Sequence, residues 1–448
     1  MKSHKAKKEN PICWVPSVYF AMGLPFVVLN MVSVLMFKGL DISDAQITFW
    51  TSLIMLPWTL KFLWSPFLEM FKTKKFFVVI TQLITGVVFG LVALSLHLPH
   101  FFACAIILLA IIAFSGATHD VATDGVYMTE LDKADQAKYI GWQGAFYNIA
   151  KIVATGGLVY LAGVLIDHFG GCVEGATKEM QYAANVNAWM IIMFIMAAVM
   201  VILGFYHMKM LPSGGSAKTE VTTVKETFKT LVEVILDFFK KKHIWYYIAF
   251  IILYRFAEGF VMKIVPLFLK AGRDIGGLGL TEQQIGLYYG TFGAAAFVLG
   301  SLLAGYYISH FGLKKTLFSL CCIFNFPFVA YTLLAVYLPT EGWLIGSAIV
   351  LEYFGYGFGF VGLTLFMMQQ VAPGKHQMAH YAFASGIMNL GVMLPGMMSG
   401  YVSDKLGYEH FFIFVLLATI PAFLITYFVP FTYPDAKKEE FINDTIEQ

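Results

Sequence analysis

Asp120 and Asp124 stand four residues apart in an otherwise apolar run, and on a helix that spacing puts both carboxylates on one face. Two carboxylates held this close compete to be ionised, so the pair can take and release a proton. The same residues could instead form fixed internal ion pairs with Lys61 or Lys151. Arg255 and Glu258 are three apart and can pair along a helix surface. The chain has two arginines against 28 lysines, so an arginine inside an apolar segment points to its planar, permanently charged fork. That fork would grip a substrate carboxylate or phosphate, or form a switchable pair with Glu258. Glu352, beside Tyr353, Phe354 and Tyr356, suits proton coupling or sugar binding; otherwise it offsets an internal lysine. His119 adjoins Asp120 but sits about 100° round the helix, where a satisfied hydrogen-bonding role is the plainer use and a substrate contact the other. Trp142, Tyr147, Tyr353 and Tyr356 offer ring faces on which a sugar could stack, although in a chain that is 17% aromatic most rings pack or face lipid.

These residues have to be held by elements of unusual composition. The chain has 448 residues, of which 58% are hydrophobic and 13% charged, about half the roughly 25% usual in soluble domains. A mean hydropathy of +0.71 points to lipid as solvent. A helix needs about 20 largely apolar residues to cross a bilayer, and twelve such stretches can be read: 13–38, 46–68, 76–97, 101–129, 139–166, 186–208, 243–269, 283–309, 316–338, 342–370, 379–402 and 410–430. Their apolar runs are continuous, unlike the alternating strands of a membrane barrel. The expected fold class is therefore all-α, an integral membrane protein of twelve transmembrane helices. A charge near mid-bilayer costs roughly 2.5–3.5 kcal/mol on insertion scales. The ionisable residues placed within spans are Lys61, His119, Asp120, Asp124, Lys151, Arg255, Glu258, Lys263 and Glu352, and each is a functional candidate for that reason.

Charge sorting sets the expected orientation. With the N-terminus inside, 21 of the 30 Lys and Arg fall in cytoplasmic segments and five outside, so both termini should be cytoplasmic. The basic patches then need no nucleic acid to explain them. The first apolar run follows Lys2, Lys5, Lys7 and Lys8 but continues past Pro16 and Pro25 without a small-residue cleavage site, so it reads as a retained helix. The five cysteines show no metal-ligand spacing and read as packing residues; neither metal nor cofactor is expected.

The longest polar segment, 209–242, separates six spans from six and reads as a cytoplasmic linker with an amphipathic helix near 224–239. The halves repeat. Phe71 to Lys75 after span two matches Phe311 to Lys315 after span eight. Gly163 to Gly170 after span five matches Gly400 to Gly407 after span eleven, and Gln46-Ile47 matches Gln284-Ile285. The offsets are nearly constant, which divides the chain into 1–208, a linker 209–242, and 243–448. Six plus six helices in parallel repeat is the architecture of the major facilitator superfamily, whose members move small solutes by alternating access. The basic turns resemble that superfamily's loop motif in degraded form, with Glu69 or Ser309 at the acidic position, and make Glu69, Lys74, Lys75, Lys314 and Lys315 candidate gating-loop residues.

A narrower resemblance lies in residues 20–170. Gly23-Leu24-Pro25, then Lys61-Phe62-Leu63-Trp64-Ser65-Pro66, then Ala117-Thr118-His119-Asp120-Val121-Ala122-Thr123-Asp124-Gly125 resemble the AmpG-type muropeptide permeases and the related acetyl-coenzyme A transporters. The resemblance implies a proton-driven importer in the cytoplasmic membrane, with Lys61, Asp120 and Asp124 on the family's motif positions. His119 stands where that family carries Gln, so a glycoconjugate with an anionic group is the expected class rather than anhydro-muropeptide itself. The partners expected are that small solute, protons and the lipid bilayer, with the protein acting as a monomer and not as an enzyme. Asp120, Asp124, Glu258 and Glu352 are the proton-coupling candidates. Lys61, His119, Trp142, Tyr147, Lys151, Arg255, Tyr353 and Tyr356 are the substrate-binding ones. An efflux carrier or an acyl-coenzyme A carrier of the same fold is the alternative.

Overall fold

The computed structural model describes residues 10–64, 68, 72–131, 133–173, 175–215, 224–374 and 376–434. Among the described residues every regular element is a helix. Glu69 lies outside them. Among the described residues nine helices are long and apolar enough by themselves to cross a membrane: Pro11–Gly39, Lys74–Ser95, Phe101–Glu130, Trp142–His168, Lys178–Met210, Glu282–Ile308, Leu313–Tyr337, Gly342–Val371 and Ala379–Tyr427. They are spans one, three, four, five, six, eight, nine and ten, with eleven and twelve joined in the last. Gly407, at φ 70°, separates those two, because the reversal needs a left-handed backbone that glycine adopts without a Cβ clash. Spans two and seven are each interrupted. Span two runs Asp44–Leu53, then Leu56–Leu60 and a tight turn Lys61–Leu63; span seven runs Ile244–Tyr254 and Phe256–Lys270, broken at Arg255.

Helix starts are capped where the chain enters each span. Thr73, Thr177 and Thr281 accept from the backbone N–H groups of Phe76, Met180 and Gln284, each at 3.3 Å. Gln284 also returns a contact to the Thr281 N–H at 3.0 Å, completing a capping box. Large apolar side chains such as Ile107, Ile202, Leu302, Trp343 and Tyr427 are each more than 60% exposed. That pattern is reversed from a water-soluble protein and expected where lipid tails surround the helices. The linker helix, Val224–Phe239, forms where the amphipathic pattern places it. Lys241 just beyond it donates to the carbonyls of Val371, Ala372 and Pro373 at 2.6, 3.0 and 2.7 Å, which caps the end of span ten.

The repeated glycines have the same use in both halves. Gly163 of span five lies against Gln283 at the start of span eight, and Gly400 of span eleven against Asp44 and Thr48 at the start of span two. A Cβ at either would overlap the facing helix. Gly286 and Gly290 of span eight likewise approach the backbone of span five at Gly156 and Thr155. These approaches tie the halves together at one end of the molecule, helped by Tyr408 Oη donating to Asp44 Oδ2 at 2.8 Å and Gly400 N to Thr48 Oγ1 at 3.0 Å. Towards the opposite end the halves meet at Phe62 and Phe383, with ring centroids 4.8 Å apart. Gly400→Leu should therefore prevent the tied end from closing and, if the halves move against each other as the repeat implies, lower solute transport by on the order of tenfold or more, because overpacking of a tight contact forces backbone shifts. Solute flux normalised to protein in the membrane measures this; an unchanged rate would remove the contact from the working cycle.

Candidate functional site

Between the halves lies a cavity of about 300 Å³ lined by spans one, two, five, seven, eight, nine, ten and eleven. Its wall is bent helix. Span one carries a π turn at Val28–Val32, span five at Val153–Leu158 and span eight at Gly286–Gly293, and Asn30, Thr155 and Tyr289 of these turns line the cavity. Irregular backbone at membrane depth survives where it faces a cavity, because displaced polar groups find partners there.

Arg255 occupies the break in span seven, with φ −104° and ψ 7°. Its guanidinium grips Glu258 in two bonds, Nε to Oε2 at 2.5 Å and Nη2 to Oε1 at 2.6 Å, and reaches Tyr356 Oη at 3.4 Å. The guanidinium also lies 5.2 Å from the Phe360 ring centroid. The fork is thus already filled by Glu258, and a substrate anion would have to compete for it. Lys151 reaches from span five into the second half, with its ammonium 4.6, 5.2 and 5.8 Å from the ring centroids of Phe297, Tyr353 and Tyr356. Glu352 accepts from Tyr331 Oη at 3.2 Å. Among the described residues neither Lys151 nor Glu352 forms an ion pair within 4.0 Å. Tyr147, Lys151, Arg255, Glu258, Glu352, Tyr353 and Tyr356 therefore share one cavity.

The aspartates of span four sit beside it, within the first half. Asp120 Oδ2 accepts from Trp58 Nε1 at 2.9 Å and from Lys61 Nζ at 3.5 Å, while Asp120 Oδ1 is buried with no hydrogen-bond partner among the described residues. Asp124 Oδ1 accepts from Tyr19 Oη at 3.0 Å. Trp58 lines the cavity and is the physical link between it and Asp120. Lys61 stands in the tight turn Lys61–Leu63 that follows Leu56–Leu60, with its side chain 34% exposed.

The hydrogen-bonding use of His119 is the one the structure shows, and Trp142 stands apart from the cavity. His119 faces away from the cavity: its Nε2 lies 2.9 Å from Gln82 Nε2, and Gln82 Oε1 lies 2.9 Å from His207 Nδ1. His207 Nε2 in turn lies 2.9 Å from Ser17 Oγ. The amide of Gln82 donates to His119 Nε2 and accepts from His207 Nδ1, and the chain of bonds pins spans one, three, four and six together. One residue of helical rotation separates this face from that of Asp120. Trp142 is 42% exposed and stacks on Phe146 with centroids 6.0 Å apart, outside the cavity lining. Lys74 and Lys75 bond to the start of the linker, Lys74 Nζ donating to Gly214 O at 3.2 Å and the Lys75 backbone N–H to Ser213 O at 3.2 Å. Lys314 and Lys315 are exposed, with Lys314 6.0 Å from the Phe431 ring centroid.

The residues the spacing arguments left without a role are Asn30, Ser52, Thr59, Tyr289, Phe297, Tyr331 and Asn389, all lining the cavity. Asn30 was open to discovery as a polar residue within an apolar run. The remainder have types common on any helix. Among the described residues no cluster of His, Cys, Asp or Glu could hold a metal ion.

A central cavity shared by two helical repeats, with ionisable groups facing it from both, defines a membrane carrier for small molecules. The family model described as Major Facilitator Superfamily matches residues 17–372 and 271–445, and the chain belongs to that family. It is similar to the anhydromuropeptide permease of Escherichia coli strain K12, at 22% identity over 91% of this chain and 77% of that one. It is also similar to the Rickettsia typhi protein designated AmpG 2, at 25% identity over 83% and 84%. Among solved structures, a bacterial homologue of the lysosomal transporter Spinster, inward-facing and unoccupied, superposes with a TM-score of 0.69 over 95% of this chain and 96% of that one, at 14% identity. The fold is thus that of a twelve-helix, two-repeat transporter, and the expected AmpG-type resemblance extends along most of the chain.

Proposed function

We propose that the chain imports an anionic amino-sugar or muropeptide-type solute together with protons, by alternating access of the halves 1–208 and 243–448 about the linker 209–242. The observation that carries this reading is the cavity itself. Both halves contribute charge to it, rings cover its walls, and the Lys151 ammonium meets aromatic faces in place of a carboxylate. A sugar would stack on those faces while its acid group approaches Lys151. The similarity to permeases named for anhydromuropeptide supports the same class.

With the lysine-rich segments placed in the cytoplasm, both termini face inward across the inner membrane, and the tied end faces out. Lys74, Lys75, Lys314 and Lys315 then lie toward the cytoplasmic end. Glu258 and Glu352 touch the cavity directly and Asp120 through Trp58, so these carboxylates and Asp124 take the coupling proton.

Purified protein in vesicles, offered labelled muropeptides, sialic acid, disaccharides and acetyl-coenzyme A, should accumulate an amino-sugar acid when the outside is acidified. Accumulation should vanish with a protonophore. Uptake indifferent to the proton gradient would sink the coupling; acetyl-coenzyme A as the sole solute taken would move the reading to an acyl carrier. Asp124→Asn keeps an acceptor for Tyr19 and should preserve expression and counterflow while lowering gradient-driven accumulation by on the order of a hundredfold. Full accumulation would exclude Asp124.

A further inference from the structure

Lys263 is buried, 3% exposed, at the head of the cavity, and among the described residues it has no carboxylate within 4.0 Å. Its partners are oxygens of the other half. Nζ donates to Asn30 O at 3.2 Å, to Thr51 O at 3.4 Å and to Asn30 Oδ1 at 3.5 Å. Both backbone carbonyls sit where their helices depart from α geometry. Asn30 is inside the π turn of span one. Thr51 lies just before the break of span two, where the Met55 N–H turns back to Ser52 O at 3.1 Å instead of continuing the ladder to Thr51. The distortions of spans one and two thus present carbonyl oxygens to a cation, and the cation is a side chain of span seven. On the remaining side Gly396 of span eleven packs against the lysine stem, 3.5 Å from the Cγ to the position of a Cβ.

We propose that Lys263 is a proton-dependent latch: its ammonium, bound to the carbonyls of Asn30 and Thr51, holds the tied end closed, and release of its proton into the cavity frees that end to open. An ammonium has three N–H donors and no lone pair, matching a cluster of acceptors. A neutral amine has two donors and places a lone pair among carbonyl oxygens, which repels them. The charged groups elsewhere in the cavity are Arg255 and Glu258 on span seven itself, Lys151 on span five and Glu352 on span ten, which also presents Tyr353. Spans one, two and eleven, which pack directly on Lys263, offer Asn30, Ser52 and Asn389 to the cavity; their charged residues Lys38, Asp44, Lys61 and Asp404 stand about two turns or more along the helix from the contact. Its proton therefore decides the contact. The direction suits import with protons: the protonated carrier is held closed outside, and only after the proton leaves inward is the empty carrier released to reopen outward. This inference rests on the proton-coupled reading above and deepens it.

Hydrogen exchange of the purified full chain tests the latch without substrate or orientation, so failure of the transport reading leaves its outcome intact. Peptides covering 44–53 and 394–404 are followed in wild type, Lys263→Arg and Lys263→Met. Arginine cannot release its proton, so the ratio of wild-type to Lys263→Arg exchange at matched pH removes the intrinsic pH dependence. That ratio should be near unity at low pH and rise by on the order of tenfold as pH increases. Lys263→Met should exchange faster than wild type at low pH by a similar factor, with peptides covering 105–117 unchanged as the control for folding. A ratio that does not move with pH, or a Lys263→Met protein as protected as wild type, overturns the proposal. Should the methionine variant not fold, the wild-type to arginine ratio decides alone.

Discussion

Arg255→Met should be the most damaging single substitution in the cavity, because it leaves the Glu258 carboxylate buried without the fork that now holds both its oxygens at 2.5 and 2.6 Å. Removing one member of a buried pair costs on the order of 3–5 kcal/mol, a large part of the 5–15 kcal/mol by which domains are usually stable. Thermal unfolding in detergent should show the loss. Arg255→Met combined with Glu258→Leu removes both charges, and its stability should return close to that of wild type. Transport should not return, since the pair lies at the break of span seven and touches the cavity from the second half. If the single variant melts like wild type, the pair carries no structural weight. If the double variant transports normally, it has no place in the mechanism.

Lys151→Met should act in the opposite sense, sparing the fold and removing affinity. The ammonium is held by ring faces and has no acid partner within 4.0 Å among the described residues. A methionine of similar length can fill the same aromatic box without stranding a charge. A hydrogen bond to a charged group contributes about 1.5–3 kcal/mol, so KM for an anionic solute should rise by roughly ten- to a hundredfold with unfolding unchanged. Neutral analogues should lose little. Initial rates across substrate concentration separate the two parameters, and an unaltered KM for the anion would remove Lys151 from binding.

Much of this protein is written in local pattern. The lipid solvent follows from run lengths and from the scarcity of charge, and the two halves from motifs recurring at near-constant offsets. The pairing of Arg255 with Glu258 was legible because residues three apart on a helix are neighbours whatever surrounds them. So was the choice of which charged residues deserve a function, since burial in lipid is costly for any of them. Local pattern did not name the partners each residue meets. His119 and Asp120 are adjacent in the chain yet serve different faces, one pinning four helices through Gln82 and His207, the other meeting Trp58 and Lys61. Trp142 has the residue type of a sugar platform but faces outward.

What only the tertiary structure decided are the contacts between residues far apart in the chain, such as Lys263 with Asn30 and Thr51, Lys151 with Phe297 and Tyr353, and Asp120 with Lys61. The physical reason is rotational. Apolar periodicity is weak on a helix that is hydrophobic all round, so it does not say which face turns inward. That choice is made by glycine approaches between helices and by π turns and breaks that shift the register of every residue beyond them. The chain by itself determined that charged side chains would stand in a lipid-bound, two-fold repeat; the packing of spans one, two, five, seven and ten determined which of them meet across the middle.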